Sequence, residues 1–228
     1  MAVRSERGMN MLKKNKNQII ASTLAVLLPP LIGLLLWSRL PEKMPIHWNM
    51  EGEVDGYSSR AMAVFGVPGI ILAAHVVCVL CTAIDPKHQN VTGKMLTLVY
   101  WICPVIGLVA GCACYAAAMG AELHVEVLIL ALVGLLFVVI GNYLPKCQPN
   151  YTVGIKLPWT LHSEDNWRKT HRMAGPVWIA GGLVMILGAF LGKWGFAISM
   201  IMVALLVLIP TVYSYLLYRR GEQSSKGL

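Results

Sequence analysis

The chain has 228 residues, of which 57% are hydrophobic and 13% are charged, and its formal net charge is +8. Soluble domains carry roughly 25% charged residues, so this composition excludes an ordinary soluble enzyme. In a soluble chain the excess of Lys and Arg would suggest nucleic acid as a partner, so the positions of these cations along the chain decide what the excess means.

Six long apolar segments follow a basic N-terminal tail, residues 1–18. These segments are residues 19–37, 61–84, 95–119, 127–143, 173–191 and 194–218, and none contains Asp, Glu, Lys or Arg. Each has the length of roughly 17–25 residues that an α-helix needs to cross a hydrocarbon core. The sequence therefore predicts an all-α integral membrane protein with six transmembrane helices.

The first long connection, residues 38–60, is rich in Pro and Gly, which favours a fixed structure over a flexible tether. His47 precedes three acids, Glu51, Glu53 and Asp55. Imidazole and carboxylates are suitable cation ligands, but the four residues lack the spacing of a tight metal site. We predict a structured loop that contacts a partner or caps the helix bundle, without a metal, and keep a cation site as the weaker alternative.

The second apolar segment contains His75 and the pair Cys78 and Cys81. An ionisable residue inside the membrane is by default a pointer to function, so His75 is a candidate for lining a transport path. The equal alternative is a neutral imidazole bonded to a backbone carbonyl. The two cysteines have the spacing of a redox pair, but a Cys in a membrane helix is more often a small apolar residue.

The second long connection, residues 144–172, begins with a Pro/Gly-punctuated part that we expect to be extended. Ser163 is then placed to cap the N-terminus of a helix. Four residues at 3–4 spacing share one face of that helix, namely Trp167, Thr170, His171 and Ala174. We predict a short amphipathic helix on the inner membrane surface that is interrupted at residues 175–176. Its function is either a docking surface or gate, or a plain basic anchor.

The cations are distributed unequally between the two sides of the membrane. With a cytoplasmic N-terminus, the inner connections hold 15 Lys and Arg and the outer ones hold 4, as the positive-inside rule expects. Both termini are then cytoplasmic, and the positive charge gives no support to nucleic-acid binding. The predicted domains are a two-helix domain, residues 19–84, a four-helix domain, residues 85–218, and a cytoplasmic tail, residues 219–228.

Motifs of common enzyme classes are missing from the sequence. It contains no His-Glu-x-x-His, no Gly-x-Ser-x-Gly and no phosphate-binding Gly-x4-Gly-Lys-Ser/Thr. We therefore expect no enzyme activity, no catalytic residue and no cofactor.

The two long connections carry motifs that resemble a known family. The outer stretch reads Leu40-Pro-Glu-Lys-Met-Pro-Ile-His-Trp-Asn-x3-Glu-Val-Asp-Gly-Tyr, and the inner one reads Pro149-Asn-Tyr-x2-Gly-Ile-Lys-x-Pro-Trp-Thr-Leu followed by Trp167-x2-Thr-His-Arg. These motifs are similar to the N-terminal domain of unknown function and the C-terminal region of SdpI-type membrane proteins. The resemblance covers about residues 24–75 and 135–215.

The resemblance implies a multi-pass immunity and signalling protein in the bacterial cell membrane. Such a protein protects the cell from a secreted peptide toxin, bound at the outer face, and holds a cytoplasmic transcriptional repressor at the inner face. The implied outer contact residues are Pro45, His47, Trp48, Asp55 and Tyr57. The implied inner contact residues are Asn150, Tyr151, Gly154, Trp159, Thr160, Trp167, Thr170 and His171.

Two other functions are compatible with the residues alone. One is a small-molecule or ion transporter or channel with His75 in its path. The other is a membrane thiol oxidoreductase that uses Cys78 and Cys81.

Overall fold

The computed structural model describes residues 2–91 and 93–226, with side chains described for residues 8–91 and 93–221. The elements of the described chain are α1 (Ala2–Lys14), α2 (Lys16–Leu35), β1 (Lys43–Trp48), β2 (Val54–Ser59), α3 (Val67–Ile84), α4 (Gly93–Ala118), α5 (Val125–Tyr143), α6 (Pro158–His162), α7 (Glu164–Gly188) and α8 (Lys193–Lys226). A π-helical turn, Met62–Gly66, leads into α3, and short 3-10 turns occupy His88–Asn90 and Leu144–Lys146.

Five helical segments of the described chain are long and apolar enough to cross a membrane. They are Lys16–Leu35, Met62–Ile84, Gly93–Ala118, Val125–Lys146 and Lys193–Gly221. Large apolar side chains are exposed along them, among them Leu24, Leu80 and Leu208. Apolar exposure on this scale is expected where lipid covers the surface. The prediction of a multi-pass membrane protein is therefore confirmed.

The sixth predicted span, residues 173–191, lies largely within α7 and is not among these five segments. The predicted interruption at residues 175–176 is wrong, because α7 continues through Pro176 to Gly188. A proline removes one backbone hydrogen bond, which neighbouring helices compensate in membrane proteins. Here a Cβ on Gly175 would lie 2.9 Å from the carbonyl oxygen of Gly141, so α7 is braced directly against α5 beside the proline.

Residues 43–59 form an antiparallel β-hairpin, which the all-α prediction missed. Lys43 pairs with Ser59 at its base and Trp48 pairs with Val54 near its tip. The register shifts on both sides of His47, as at a β-bulge. The predicted fixed structure of this connection thus takes the form of a hairpin.

The chain folds into two compact units. The first comprises Met1–Ile84 and Leu96–Glu126, and the second comprises Asp85–Met95 and Val127–Leu228. A cluster of buried side chains forms a core in the first unit, namely Leu40, Met44, Ala63, Val64, Cys114 and Tyr115.

Glycines allow α5 and α7 to pack closely in the second unit. A Cβ on Gly182 would lie 2.5 Å from the carbonyl oxygen of Gly134, and a Cβ on Gly141 would lie 2.9 Å from that of Gly175. Small residues at such contacts are typical of membrane helix pairs, because they let the backbones approach each other.

Candidate functional site

The hairpin is anchored to the first unit through the strand β1. Met44 is fully buried in the core cluster. Pro45 is also buried, and its carbonyl oxygen accepts a hydrogen bond of 3.0 Å from the Cys114 thiol on α4. Pro45, a predicted contact residue, therefore lies on the anchored side of the hairpin.

Arg60 fastens the other end of the hairpin to the chain that enters it. Its guanidinium donates hydrogen bonds to the carbonyl oxygens of Trp37, at 3.1 Å, and Pro41, at 3.2 Å. The same group lies 5.2 Å from the centre of the Trp37 ring, a cation–π distance. In the sequence analysis, Arg60 was only counted among the Lys and Arg residues that predict the membrane orientation.

The turn of the hairpin is organised by Asn49. Its side-chain oxygen accepts hydrogen bonds from the backbone amides of Glu51, at 3.1 Å, and Glu53, at 2.8 Å. Gly52 has a φ of +82°, and a Cβ there would fall on the carboxylate of Glu126. A glycine fits this position for both reasons, and the turn is rigid although exposed.

The exposed face of the hairpin carries the other predicted outer residues. His47 Nδ1 and Asp55 Oδ1 are 2.5 Å apart across the two strands, and both side chains are exposed. Gly56 makes room for this pair, because a Cβ there would lie 2.7 Å from the Cβ of His47. Tyr57 is 62% exposed and Trp48 is half-buried. The hairpin thus presents an acid–imidazole pair and a tyrosine on a rigid support.

A cavity of about 720 Å³ lies beside the base of the hairpin. Its lining includes Trp37, Glu42, Lys43, Tyr57 and Arg60. It offers aromatic rings together with side chains of both charges.

The cation site considered for this loop has no support in the geometry. Among the side chains described, those of residues 8–91 and 93–221, no group of three or more from His, Cys, Asp and Glu is arranged to hold a metal ion. His47 and Asp55 therefore have no third potential metal ligand arranged with them among the described side chains.

In the inner connection, most of the predicted contact residues are buried. The side chains of Asn150, Thr160, Trp167, Thr170 and His171 are at most 1% exposed. Asn150 holds the turn that follows it, because its side-chain oxygen accepts hydrogen bonds from the amides of Thr152, at 2.9 Å, and Val153, at 2.7 Å. These residues shape the loop from within, and other side chains form its exposed surface.

Trp167, His171 and Gly154 interlock at the centre of this loop. The two rings stack with centroids 4.1 Å apart, and the Trp167 indole N–H donates to the carbonyl oxygen of Cys147 at 2.8 Å. Gly154 has a φ of +117°, and a Cβ there would lie 2.5 Å from His171 Nε2. Only glycine fits both the backbone and the space at this position.

His171 is held as a neutral imidazole. Nε2 accepts a hydrogen bond of 2.9 Å from the Ile155 amide, and Nδ1 lies 2.8 Å from the carbonyl oxygen of Trp167. Acceptance at Nε2 assigns the proton to Nδ1. Burial lowers the pKa of His171 to about 4, against the opposing effect of the Trp167 carbonyl. Burial likewise raises the pKa of the Cys147 thiol to about 11, although a hydrogen bond with Asn150 acts in the other direction.

Asp85 contributes to the inner site and was missed in the sequence. Its Oδ2 accepts hydrogen bonds from the Tyr151 amide, at 2.8 Å, and the Thr152 hydroxyl, at 2.7 Å. Its Oδ1 accepts a third from the Lys87 amide at 2.8 Å. Because 66 residues separate Asp85 from Tyr151, no local pattern could reveal this contact.

Ser163 caps α7 as predicted, since its hydroxyl accepts a hydrogen bond from the Asn166 amide at 3.2 Å. On the same turn, the Asn166 side chain donates to the carbonyl oxygen of Ser214 on α8, at 2.9 Å. The Trp159 indole N–H donates to the hydroxyl of the same serine, also at 2.9 Å. The start of α7 is therefore fixed to α8 and continues into the rest of α7 without forming a separate short helix.

Tyr151 is an accessible aromatic residue of the inner loop, at 50% exposed. The Lys87 ammonium lies 5.9 Å from the centre of its ring. The Lys156 ammonium donates hydrogen bonds to the carbonyl oxygens of Tyr151 and Thr152, both at 3.0 Å. A cation at the Tyr151 ring and a second one at its backbone form a surface suited to an acidic partner.

His75 is fully buried between α2 and α3. Its Nε2 lies 3.1 Å from the Thr23 hydroxyl and 3.5 Å from that of Ser22, so hydroxyls replace the carbonyl partner that was considered. Nδ1 has no hydrogen-bond partner among the described residues. All six cysteines are free thiols.

Two family matches cover the two sites, one match for each site. The SdpI/YfhL protein family matches residues 146–214. A domain of unknown function, DUF1648, matches residues 24–72, which include the hairpin. No solved structure matches the chain.

A curated relative extends this similarity over nearly the whole chain. The immunity protein SdpI of Bacillus subtilis (strain 168) is 25% identical over 215 residues, which cover 92% of this chain and 98% of the relative. Such coverage includes both loops and the segments between them.

Proposed function

Since the chain belongs to the SdpI family, we propose that it is a membrane immunity protein that protects its cell against a secreted peptide toxin. The observation that carries the proposal is the similarity to an immunity protein over 92% of the chain. The SdpI family is not an enzyme family. The similarity of this chain to an immunity protein does not favour a transporter that uses His75.

The hairpin is the proposed toxin-binding surface on the outer side of the membrane. His47, Asp55 and Tyr57 are exposed on a support held rigidly by Met44 and Arg60. A rigid surface loses little conformational entropy when a flexible peptide binds to it. The cavity beside Tyr57 adds an apolar and charged recess for side chains of the peptide.

The inner loop is the proposed binding surface for a cytoplasmic transcriptional repressor. Tyr151 and the two lysines beside it form an accessible feature of that loop. The buried residues beneath them fix the shape of the loop, so a repressor would meet a preformed surface. This role predicts that Tyr151→Ala abolishes repressor capture while leaving protection intact.

The proposed topology has six spans, with both termini in the cytoplasm. The C-terminal half of α7 exposes Leu183, Val184 and Leu187, and residues 173–191 contain no charged side chain. A helix with these properties is suited to a lipid environment. The 15-to-4 distribution of Lys and Arg supports the same arrangement.

Growth under toxin challenge tests the proposed immunity. The chromosomal copy is deleted in the native host, and the strain is exposed to conditioned medium from toxin-producing siblings. We expect the deletion to sensitise the cells and the wild-type chain to restore growth. Equal growth with and without the chain in active medium would contradict the immunity function.

A matched pair of histidine variants then tests the hairpin separately. His47→Ala removes an exposed imidazole from the proposed toxin-binding surface, whereas His162→Ala removes an exposed imidazole from the inner connection. At equal membrane abundance, we expect only His47→Ala to reduce protection. Protection that survives both changes would contradict a role for the His47–Asp55 pair.

A further inference from the structure

A groove of about 1160 Å³ lies between α6, the start of α7 and the end of α8. Its lining includes Trp159, His162, Lys169, Tyr218 and Arg220. All of these residues belong to the second compact unit. Neither proposed binding surface includes this groove as a whole.

The groove lies at the end of a membrane-crossing segment. The apolar segment of α8 runs from Lys193 to Gly221, and Leu217 and Gly221 both line the groove. The groove therefore begins on apolar side chains within the segment and reaches the charged residues that end it. A lipid at this level meets the same sequence of environments, from acyl chain to headgroup.

Aromatic rings line the boundary between the apolar and charged parts. The Trp159 ring lies 5.4 Å from that of Tyr215 and 6.0 Å from that of Tyr218, measured between centroids. Trp and Tyr are enriched at the headgroup level of membranes because one end is apolar and the other polar. The indole N–H of Trp159 is already bonded to Ser214, so its ring is held in place at the groove.

The charged part of the groove favours an anion. Lys169 and Arg220 contribute two permanent cations to its lining, and Asp165 contributes an acid. Asp165 is paired with Lys169 at 2.6 Å and with Arg168, outside the lining, at 2.8 Å. Lys169 and Arg220 outnumber Asp165 in the lining, so the groove carries an excess of positive charge without a contribution from Arg168.

We propose that this groove binds the headgroup of an anionic phospholipid, with the phosphate near Lys169 and Arg220 and an acyl chain along Leu217 and Tyr218. Basic pockets between helices at a membrane surface commonly hold such headgroups. The occupant would steady the junction of α6, α7 and α8, the segment that supports the inner loop. This proposal does not depend on the toxin or on the repressor.

Native mass spectrometry of the purified full chain tests the proposal. The probes are phosphatidylglycerol, which is anionic, and phosphatidylcholine of the same acyl composition, which is zwitterionic. We expect the wild-type chain to retain phosphatidylglycerol in preference to phosphatidylcholine. Each lysine or arginine near a membrane surface contributes enough binding free energy for about a fivefold change in affinity, so Arg220→Ala should weaken retention of phosphatidylglycerol by about fivefold.

Two further substitutions distinguish the groove from general surface charge. Lys169→Ala and Arg168→Ala each remove one positive charge that is paired with Asp165, but only Lys169 lines the groove. We expect Lys169→Ala to weaken retention severalfold and Arg168→Ala to leave it within about twofold of wild type. Arg220→Lys should retain the preference because it keeps the charge.

Equal retention of the two lipids by the wild-type chain would overturn the proposal, as would equal losses in Lys169→Ala and Arg168→Ala. If the groove instead receives an acidic segment of a soluble protein, the wild-type chain would retain the two lipids equally. Monodisperse elution of each variant in size-exclusion chromatography is the control for folding.

Discussion

Gly154 determines the shape of the inner loop at the scale of a single residue. Its φ of +117° is rarely accessible to other residues, and its missing side chain leaves room for the stacked rings of Trp167 and His171. The glycine of this motif is therefore required by its backbone conformation and by its close contact with the two rings.

Gly154→Ala should destabilise the protein by roughly 1–3 kcal/mol, because it adds both backbone strain and a clash. Gly192→Ala is the matched control, since Gly192 also has a positive φ, +56°, but its Cβ would meet open space. Thermal unfolding in detergent should show a larger fall in Tm for Gly154→Ala. Equal falls in Tm would contradict the close packing of Gly154.

His171 should make the inner loop less stable in acid. Its pKa of about 4 in the folded protein lies below the ordinary value of 6.5, so the folded state binds fewer protons than the unfolded state between these two values. The stabilisation is therefore complete above about pH 6.5 and is lost as the pH falls towards 4, by on the order of 3 kcal/mol in total. Hydrogen exchange of the Ile155 amide, followed across this range, measures the loss.

The variant His171→Gln provides the control for this pH dependence. A glutamine does not titrate, so the extra loss of protection at Ile155 between pH 6.5 and 4 should disappear. Tautomer-specific nitrogen NMR should also show a neutral His171 with its proton on Nδ1 at pH 6. A protonated ring at that pH would contradict the buried hydrogen-bond arrangement.

The sequence predicted part of this residue-scale picture. The 3–4 spacing correctly placed Trp167, Thr170 and His171 on one face, and the structure buries all three. The motif alone could not separate residues that shape a loop from residues exposed on it. Asp85 escaped notice because its partners lie far along the chain and are brought to it only by folding.

At the scale of elements, the hairpin depends on its buried anchor. Met44→Ala should leave a cavity in the core cluster and cost about 2–5 kcal/mol. Ile46→Ala, two residues further along the same strand, removes an apolar side chain that is 38% exposed and should cost much less. Limited proteolysis within residues 49–53 should accelerate in Met44→Ala alone, and equal rates would contradict the anchoring.

The close contact between α5 and α7 gives another test at this scale. Gly182→Ala would bring a Cβ within 2.5 Å of the Gly134 carbonyl oxygen, so the helices must separate, at a cost of roughly 1–3 kcal/mol. Gly69→Ala in α3 is the control, because its Cβ would meet nothing within 4 Å. A lower Tm in Gly182→Ala than in Gly69→Ala is the expected result, and the reverse order would contradict the helix contact.

The apolar segments were easier to predict than the hairpin, for a physical reason. A segment without charge over some twenty residues has few alternatives to a membrane helix. The strand β1 contains a proline and a bulge, and β2 contains a glycine, so neither sequence shows the regular alternation of apolar and polar residues that identifies a strand. The pairing of the two strands is stabilised by Met44 and Arg60, whose contacts no local sequence pattern reveals.

At the scale of the whole molecule, the number of spans determines on which side of the membrane the chain lies after α7. Six spans place residue 192 outside and residue 228 inside, whereas a chain in which α7 does not cross reverses both positions. Alkaline phosphatase fused after residue 192 should be active, and the same fusion after residue 228 should be inactive. Reversed activities would contradict the six-span topology.

Site-specific photo-crosslinking in living cells tests the central claim most directly. A photoreactive amino acid replaces Tyr57 on the hairpin or, as the control, His162 on the inner connection, and the cells are challenged with the tagged toxin peptide. The account predicts a crosslink between the toxin and position 57, none at position 162, and full protection in both strains. Protected cells in which position 57 captures no toxin would contradict the assignment of the hairpin as the toxin-binding surface.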